Sequence, residues 1–230
     1  MKIKSSKRYK KLAETPKTEK FVGLEDAIKK VKKNCTAKFD ESIDVSLKLN
    51  LKKKKEEITL RTVVNLPHGN GKKLKIAVLC EESKIKEAKD SGADLAGSEN
   101  LVSDISNGKI NFDKLVATPA MMSKMGKLGK ILGPKGLMPN PKLGTVTNDL
   151  KKTLNALKTG QIEIKNDKDG NIAASIGKKS FQDSKIIENY KTLMQTIQKE
   201  KPSGIKGDFV VSAFLTSTMG ISYKLSNKVQ

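Results

Sequence analysis

The hexapeptide Thr216-Ser217-Thr218-Met219-Gly220-Ile221 holds the side chains best suited to chemistry in this chain of 230 residues. The hydroxyls of Ser217 and Thr218 can bond phosphate or ribose 2′-OH groups, and Met219 can press a soft apolar surface on a base or ribose. Gly220 permits close approach of the backbone. Such a set supports binding, not bond-breaking. On residue types alone an ordinary polar turn is the simpler account.

A second candidate runs from Gly126 to Thr147, where five glycines, three prolines and four lysines occur without an acidic residue. Pro134, Pro139 and Pro141 lack backbone donors, and Gly129, Gly133, Gly136 and Gly144 permit conformations closed to other residues. An ordered basic loop with no regular helix or strand is expected. Leu128, Ile131, Leu132, Leu137 and Met138 are interleaved and need something to pack against, which a flexible linker would not. Two GxxG spacings, Gly126–Gly129 and Gly133–Gly136, match a KH loop, but a chain with 17 glycines reaches that pattern by chance. The loop is either RNA-facing or interdomain, or it simply makes turns.

Other chemistry is poorly supported. His68 is the only histidine and sits in a Pro-His-Gly turn. Cys35 and Cys80 show no metal-ligand spacing, so no metal, cofactor or catalytic residue is expected. Gly69-Asn70-Gly71 lacks the third glycine of a dinucleotide loop, and no Walker spacing occurs. The net charge of +21 calls for a polyanionic partner. No apolar run approaches membrane-spanning length, and the basic N-terminal arm lacks a signal-type apolar stretch, so a cytoplasmic protein with no membrane partner is expected.

The elements that must position these residues follow from periodicity. Leu24, Ala27, Ile28 and Val31 share one helical face over 24–34. Ile43 to Leu51 and Ile58 to Val64 alternate as half-exposed strands, with Lys52–Lys55 read as a solvated hairpin tip. From Pro67 the pattern becomes short apolar strands (76–80, 93–96, 114–117) separated by helices after Ser83 and Ser98, the grammar of a covered parallel sheet. A helix near Thr147 carries Leu150, Leu154 and Leu157 and stops at Gly160. Alternation returns at Ile162 and Ile164, with Asp169-Gly170 at a hairpin turn before Ile172–Ile176. Ser180 and Asp183 have capping-box spacing before a stripe of Ile186, Ile187, Tyr190, Leu193, Met194 and Ile197. A last strand spans 209–215.

Neither flank alone holds enough strands for a stable layer, so residues 1–66 and 160–230 are expected to form one discontinuous α+β domain interrupted by a Rossmann-like three-layer parallel α/β domain, 67–159. Pro67 and Gly160 would then be a double hinge. The flanks carry 30 basic and 16 acidic groups and the middle 16 and 9, nets of +14 and +7, so the outer domain is the better RNA candidate.

Several blocks in order, KFDESIDVSLKL from Lys38, VVNLPHGNGK from Val63, ATPAMMSKMGKLG from Ala117, GKLGKILGPKGLMPNPKLGTVT and TSTMG, resemble the family of large-subunit ribosomal proteins that form the mobile stalk beside the transfer-RNA exit site. The resemblance implies a two-domain fold and binding to large-subunit ribosomal RNA. It also implies help in releasing deacylated transfer RNA from the exit site, and repression of translation by binding the messenger RNA of the protein's own operon. It favours RNA contact over the plain turn at Ser217, Thr218, Met219 and Gly220, and adds Lys38, Phe39, Ser42, Lys165, Lys168 and Ser212. Departures are Ile221 where the family commonly has proline, Ala173 where it often has histidine, and Lys135 in place of arginine, which keeps charge but gives up bidentate geometry. No enzyme activity and no homo-oligomer are expected. The rival readings are an RNA-binding module outside the ribosome and an enzyme acting on a phosphorylated substrate.

Overall fold

The computed structural model describes residues 6–13, 21–50, 60–202 and 207–226. In chain order the elements begin with α1 (Lys7–Ala13), α2 (Leu24–Lys33), β1 (Ser42–Leu49), β2 (Arg61–Asn65), β3 (Ile76–Leu79), α3 (Ile85–Asp90), β4 (Leu95–Gly97) and α4 (Glu99–Ser106). They continue with β5 (Lys114–Ala117), α5 (Met122–Met125), α6 (Gly129–Leu132), α7 (Leu150–Thr159), β6 (Gln161–Lys165), β7 (Asn171–Lys178), α8 (Asp183–Lys199), β8 (Val210–Ser217) and β9 (Tyr223–Lys224). The chain divides into two compact units, Met1–Gly71 with Ile162–Gln230, and Lys72–Gln161.

In the first unit an antiparallel sheet runs β7-β1-β8-β9, and a smaller sheet joins β2 to β6. Alternation along β1 turns Ile43, Val45, Leu47 and Leu49 inward. There they meet Ala27, Ile28 and Val31 of α2 and Ile186, Tyr190, Leu193, Met194 and Ile197 of α8 in one buried cluster. Burying each such aliphatic side chain contributes about 1.5–3 kcal/mol, which is why two amphipathic helices and one sheet face suffice for a core. Both helices cover the same face, and the other face stays open.

Three local expectations change here. Strands β1 and β2 lie in different sheets, so they form no hairpin, and the run Lys52–Lys55 falls outside the described residues. The Asp169-Gly170 turn exists, with Gly170 at φ 80, but it carries the chain from β6 in one sheet to β7 in the other. Ser180 makes no capping box: its hydroxyl donates to Asp40 Oδ2 at 2.8 Å, while Asp183 pairs with Lys32 at 2.5 Å and Gln182 occupies the cap position. Sequence spacing mimicked a cap because tertiary partners were closer.

The second unit is a parallel sheet, β4-β3-β5. Ala77 and Leu79 face one cluster with Leu115, Ala117, Ile105, Met125, Leu128 and Leu132, whereas Ile76, Val78 and Cys80 face another with Ala88, Leu150, Leu154 and Leu157. Covering on both faces explains the unbroken apolar run of β3. Gly160 ends α7 at φ 117, a left-handed conformation that glycine adopts without a Cβ penalty. Ser98 stands at the N-cap of α4 but makes no side-chain cap bond.

The segment Gly126–Thr147 departs from the expected loop. Gly126–Leu128 and Pro141–Leu143 are single 3-10 turns and Gly129–Leu132 is a short α-helix. Gly126, Gly129 and Gly133 have φ of −53°, −56° and −57°, open to any residue, and in this segment only Gly136 and Gly144 have positive φ. Leu128 and Leu132 find their packing partner on the sheet. The lysines Lys127, Lys130, Lys135 and Lys142 are exposed on the outside of these turns.

Candidate nucleic-acid interface

The turn after β8 is held by β1. Thr218 N–H donates to Ser42 O at 3.1 Å, and Ser42 N–H donates to Thr218 Oγ1 at 3.0 Å. The Thr218 hydroxyl thus helps close the ladder while the residue stays exposed, and Ser42 Oγ accepts from Lys178 Nζ at 2.9 Å. Ser217 is buried, its Oγ lying against Cys35 and Glu41 without closing a hydrogen bond of good geometry. In this structure the Ser217 hydroxyl faces inward. Gly220 has a packing reason as well: a Cβ there would stand 2.3 Å from Ser217 Oγ.

What this end of the sheet does present is apolar and cationic. Phe39 is 53% exposed and Met219 47% exposed. A solvent-exposed Phe and Met on adjoining turns leave stacking surface open to a base or ribose. Lys38 is exposed beside Phe39.

Sequence reasoning missed the residue that joins the two turns. Glu41, fully buried, accepts from Ala37 N–H at 2.9 Å and Met219 N–H at 3.2 Å. Burial pushes its carboxyl up, but the two amides, Ser217 and the Arg8 charge together hold it below the usual carboxylate range. Arg8 of α1 was missed too: its guanidinium donates to Met219 O and to Thr36 Oγ1, both at 3.2 Å. The signal available for Glu41 was an acid interrupting the polar face just before the alternating run of β1. For Arg8 there was none, because its partners lie 28 and 211 residues away.

The remaining candidates stand elsewhere. Ser42 pairs with Lys178 at one end of β1, whereas Lys48 pairs with Asn171 and Ser212 at the other. At about 3.4 Å per residue this separates the two ends by roughly 20 Å. Lys168 lies in the turn whose backbone Asp167 organises, accepting from the amides of Asp169 at 3.0 Å and Asn171 at 2.6 Å, with Lys165 just before it. These two lysines and Ser212 are thus not gathered with Phe39 and Met219.

Between the ends lies the open face. In register, Asp44 meets Ser175 and Thr216, Ser46 meets Ala173 and Phe214, and Phe214 meets Lys224. Small polar side chains and one phenylalanine make a shallow surface joining the two ends. Ala173 sits in its centre, where it has no donor to offer. Pro67 lies in a turn inside the first unit, where buried Asn189 accepts from His68 N–H at 3.2 Å and donates to Gly69 O at 2.9 Å. His68 Nε2 meets Glu188 Oε2 at 2.6 Å. No group of His, Cys, Asp and Glu among the described residues could hold a metal ion.

Residues 29–221 match the model of the Ribosomal protein L1p/L10e family. The chain is 55% identical over 221 residues to the large ribosomal subunit protein uL1 of Pelagibacter ubique, covering 96% of each chain. It is 47% identical to that of Synechococcus sp. (strain WH7803), covering 96% of this chain and 94% of the relative. With the Fervidobacterium nodosum protein of the same name the identity is 43%, over 98% of this chain and 97% of the relative. Matched over most of its length, through the turns of Phe39 and Met219 and the whole second unit, this chain belongs to the ribosomal protein L1p/L10e family, whose members are ribosomal proteins and not enzymes.

Proposed function

We propose that this protein is a structural component of the large ribosomal subunit, in the cytoplasm, and that its first unit binds large-subunit ribosomal RNA. The observation that carries the reading is the pair of exposed apolar side chains, Phe39 and Met219, on two turns that buried Glu41 ties together at one end of an open polar sheet face. Preorganised apolar surface inside a cationic rim suits RNA: phosphate contacts supply salt-dependent affinity, and stacking reads local shape. Lys38 and Lys178 charge this end of the face, Lys48, Lys165 and Lys168 the other, and Ser212 lies in register with Lys48. Ser42, Ser217, Thr218 and Gly220 serve as the frame that aims Met219.

Beyond binding ribosomal RNA, the second unit swings on the crossings near Gly71 and Gly160, both at positive φ, and helps deacylated transfer RNA leave the exit site. Asn189 holds the Pro67 turn on α8, which moves the first pivot from Pro67 towards Gly71. The same RNA-binding face takes the messenger RNA of the protein's own operon and represses its translation.

The test is binding of the double variant Phe39→Ala, Met219→Ala to a transcript of the large-subunit RNA stalk. Both side chains are exposed, so folding should survive, and affinity should fall by a factor of about 10–100, as expected for losing stacking worth about 1–3 kcal/mol per base. Unchanged affinity in a folded variant would sink the site.

A further inference from the structure

We infer that the N-terminal helix α1 is a third wall of the RNA interface, contacting the phosphodiester backbone through Lys7, Lys10 and Lys11. The inference rests on the RNA-binding reading above and adds an element to it.

Three observations meet at this helix. The first is attachment. Arg8 bonds the carbonyl of Met219 and the hydroxyl of Thr36, so α1 is tied to both turns that present Met219 and Phe39. Leu12 is buried, anchoring the helix on its other end, and Ser6 Oγ accepts from Tyr9 N–H at 3.3 Å to cap its start.

The second observation is charge. Four of the seven residues of α1 are cationic and none is acidic. Lys7 stands three and four residues from Lys10 and Lys11, and Arg8 three from Lys11, spacings at which like charges on a helix repel. A lysine-rich solvated face usually interleaves acids that relieve this repulsion, and here none is present. The helix is destabilised by its own side chains until an anion neutralises them, and phosphates spaced along a polynucleotide are suited to do so.

The third is exposure. Lys7, Lys10 and Lys11 are all exposed, as is Tyr9. Arg8, by contrast, is spent on positioning. Division of labour within one turn of helix, with one cation bonded inward and three turned to solvent, fits a helix docked for presenting charge.

The experiment replaces Lys7, Lys10 and Lys11 with Gln in the full chain and measures affinity for the stalk transcript from about 50 to 200 mM salt. The slope of log affinity against log salt flattens by about 0.7–0.9 for every phosphate no longer neutralised, so the triple variant should be shallower by about two and about tenfold or more weaker at low salt. Thermal stability should hold or rise, because repulsion is removed. The Lys→Arg triple variant should restore slope and affinity. If slope and affinity are unchanged while the Phe39→Ala, Met219→Ala variant loses binding, α1 is not part of the interface and the inference fails alone. If neither variant alters binding, the RNA-binding reading fails and takes this inference with it.

Discussion

The turn at 216–221 and the segment 126–147 are both irregular stretches containing glycine, methionine and threonine, yet they settle on different supports. In the second, apolar residues turn inward: Leu128 and Leu132 are buried against the sheet, and three of its five glycines sit in ordinary helical backbone. In the first, Ser217 and Ile221 turn inward while Met219 turns out, and the exposed Thr218 is bonded to β1. The contrast teaches that a short irregular segment is decided by what it lies on. One segment lies on a bare apolar sheet face that must be covered, the other on a buried carboxylate that must be satisfied.

The largest effect should come from the covering segment. Leu132→Ala removes a fully buried side chain and should destabilise the second unit by about 2–5 kcal/mol, read by thermal or denaturant unfolding, while affinity for the stalk transcript stays within about twofold. Were Leu132→Ala instead to spare stability, these turns would be no part of the core.

Glu41→Gln should come next. A neutral amide can accept from only one of the two N–H groups well and turns a donor towards the other, at a cost of about 1–3 kcal/mol. The sign with pH is definite. A carboxyl held below its usual range contributes stability that is fully present above the unfolded pKa, near about 4.3, and is lost as pH falls through the lower folded value. The gap between wild type and Glu41→Gln should therefore be full at pH about 7 and should close on acidification. A gap constant with pH would mean the carboxylate charge plays no part.

Gly220→Ala should be milder, about 1–2 kcal/mol, since the new methyl meets Ser217 Oγ, a buried atom with little room to turn. It should also displace Met219 and weaken RNA binding. Gly126→Ala sharpens the contrast from the other side. Its φ is −53° and nothing lies within 4 Å of the added Cβ, so it should stabilise by about 0.4–1 kcal/mol through the unfolded chain. A destabilised Gly126→Ala would show that this glycine is needed for its backbone after all.

Periodic patterns carried most of the fold. The strict alternation of 43–49 and the stripe of α8 each needed only a partner surface, and any sufficiently apolar one would do. Pairing was another matter: alternation alone allowed β1 to join β2 or β7, and the inward faces of β7 and β8 decided it. At the candidate site Met219 was legible in residue types, whereas Phe39, which alone reads as a core aromatic, came only through the family resemblance. The two ends of the face were not, because Lys168 and Met219 differ only in which end of an eight-residue strand their turn adjoins.

By itself the amino-acid order determined the types of the periodic elements, the two-unit grammar and the polyanion preference, since period, turn residues and net charge are properties of a chain before it folds. Only the tertiary structure decided which polar groups are spent inside. Glu41, Arg8 and Asn189 take their meaning from partners distant in sequence, and a hydrogen bond has no period by which to announce itself.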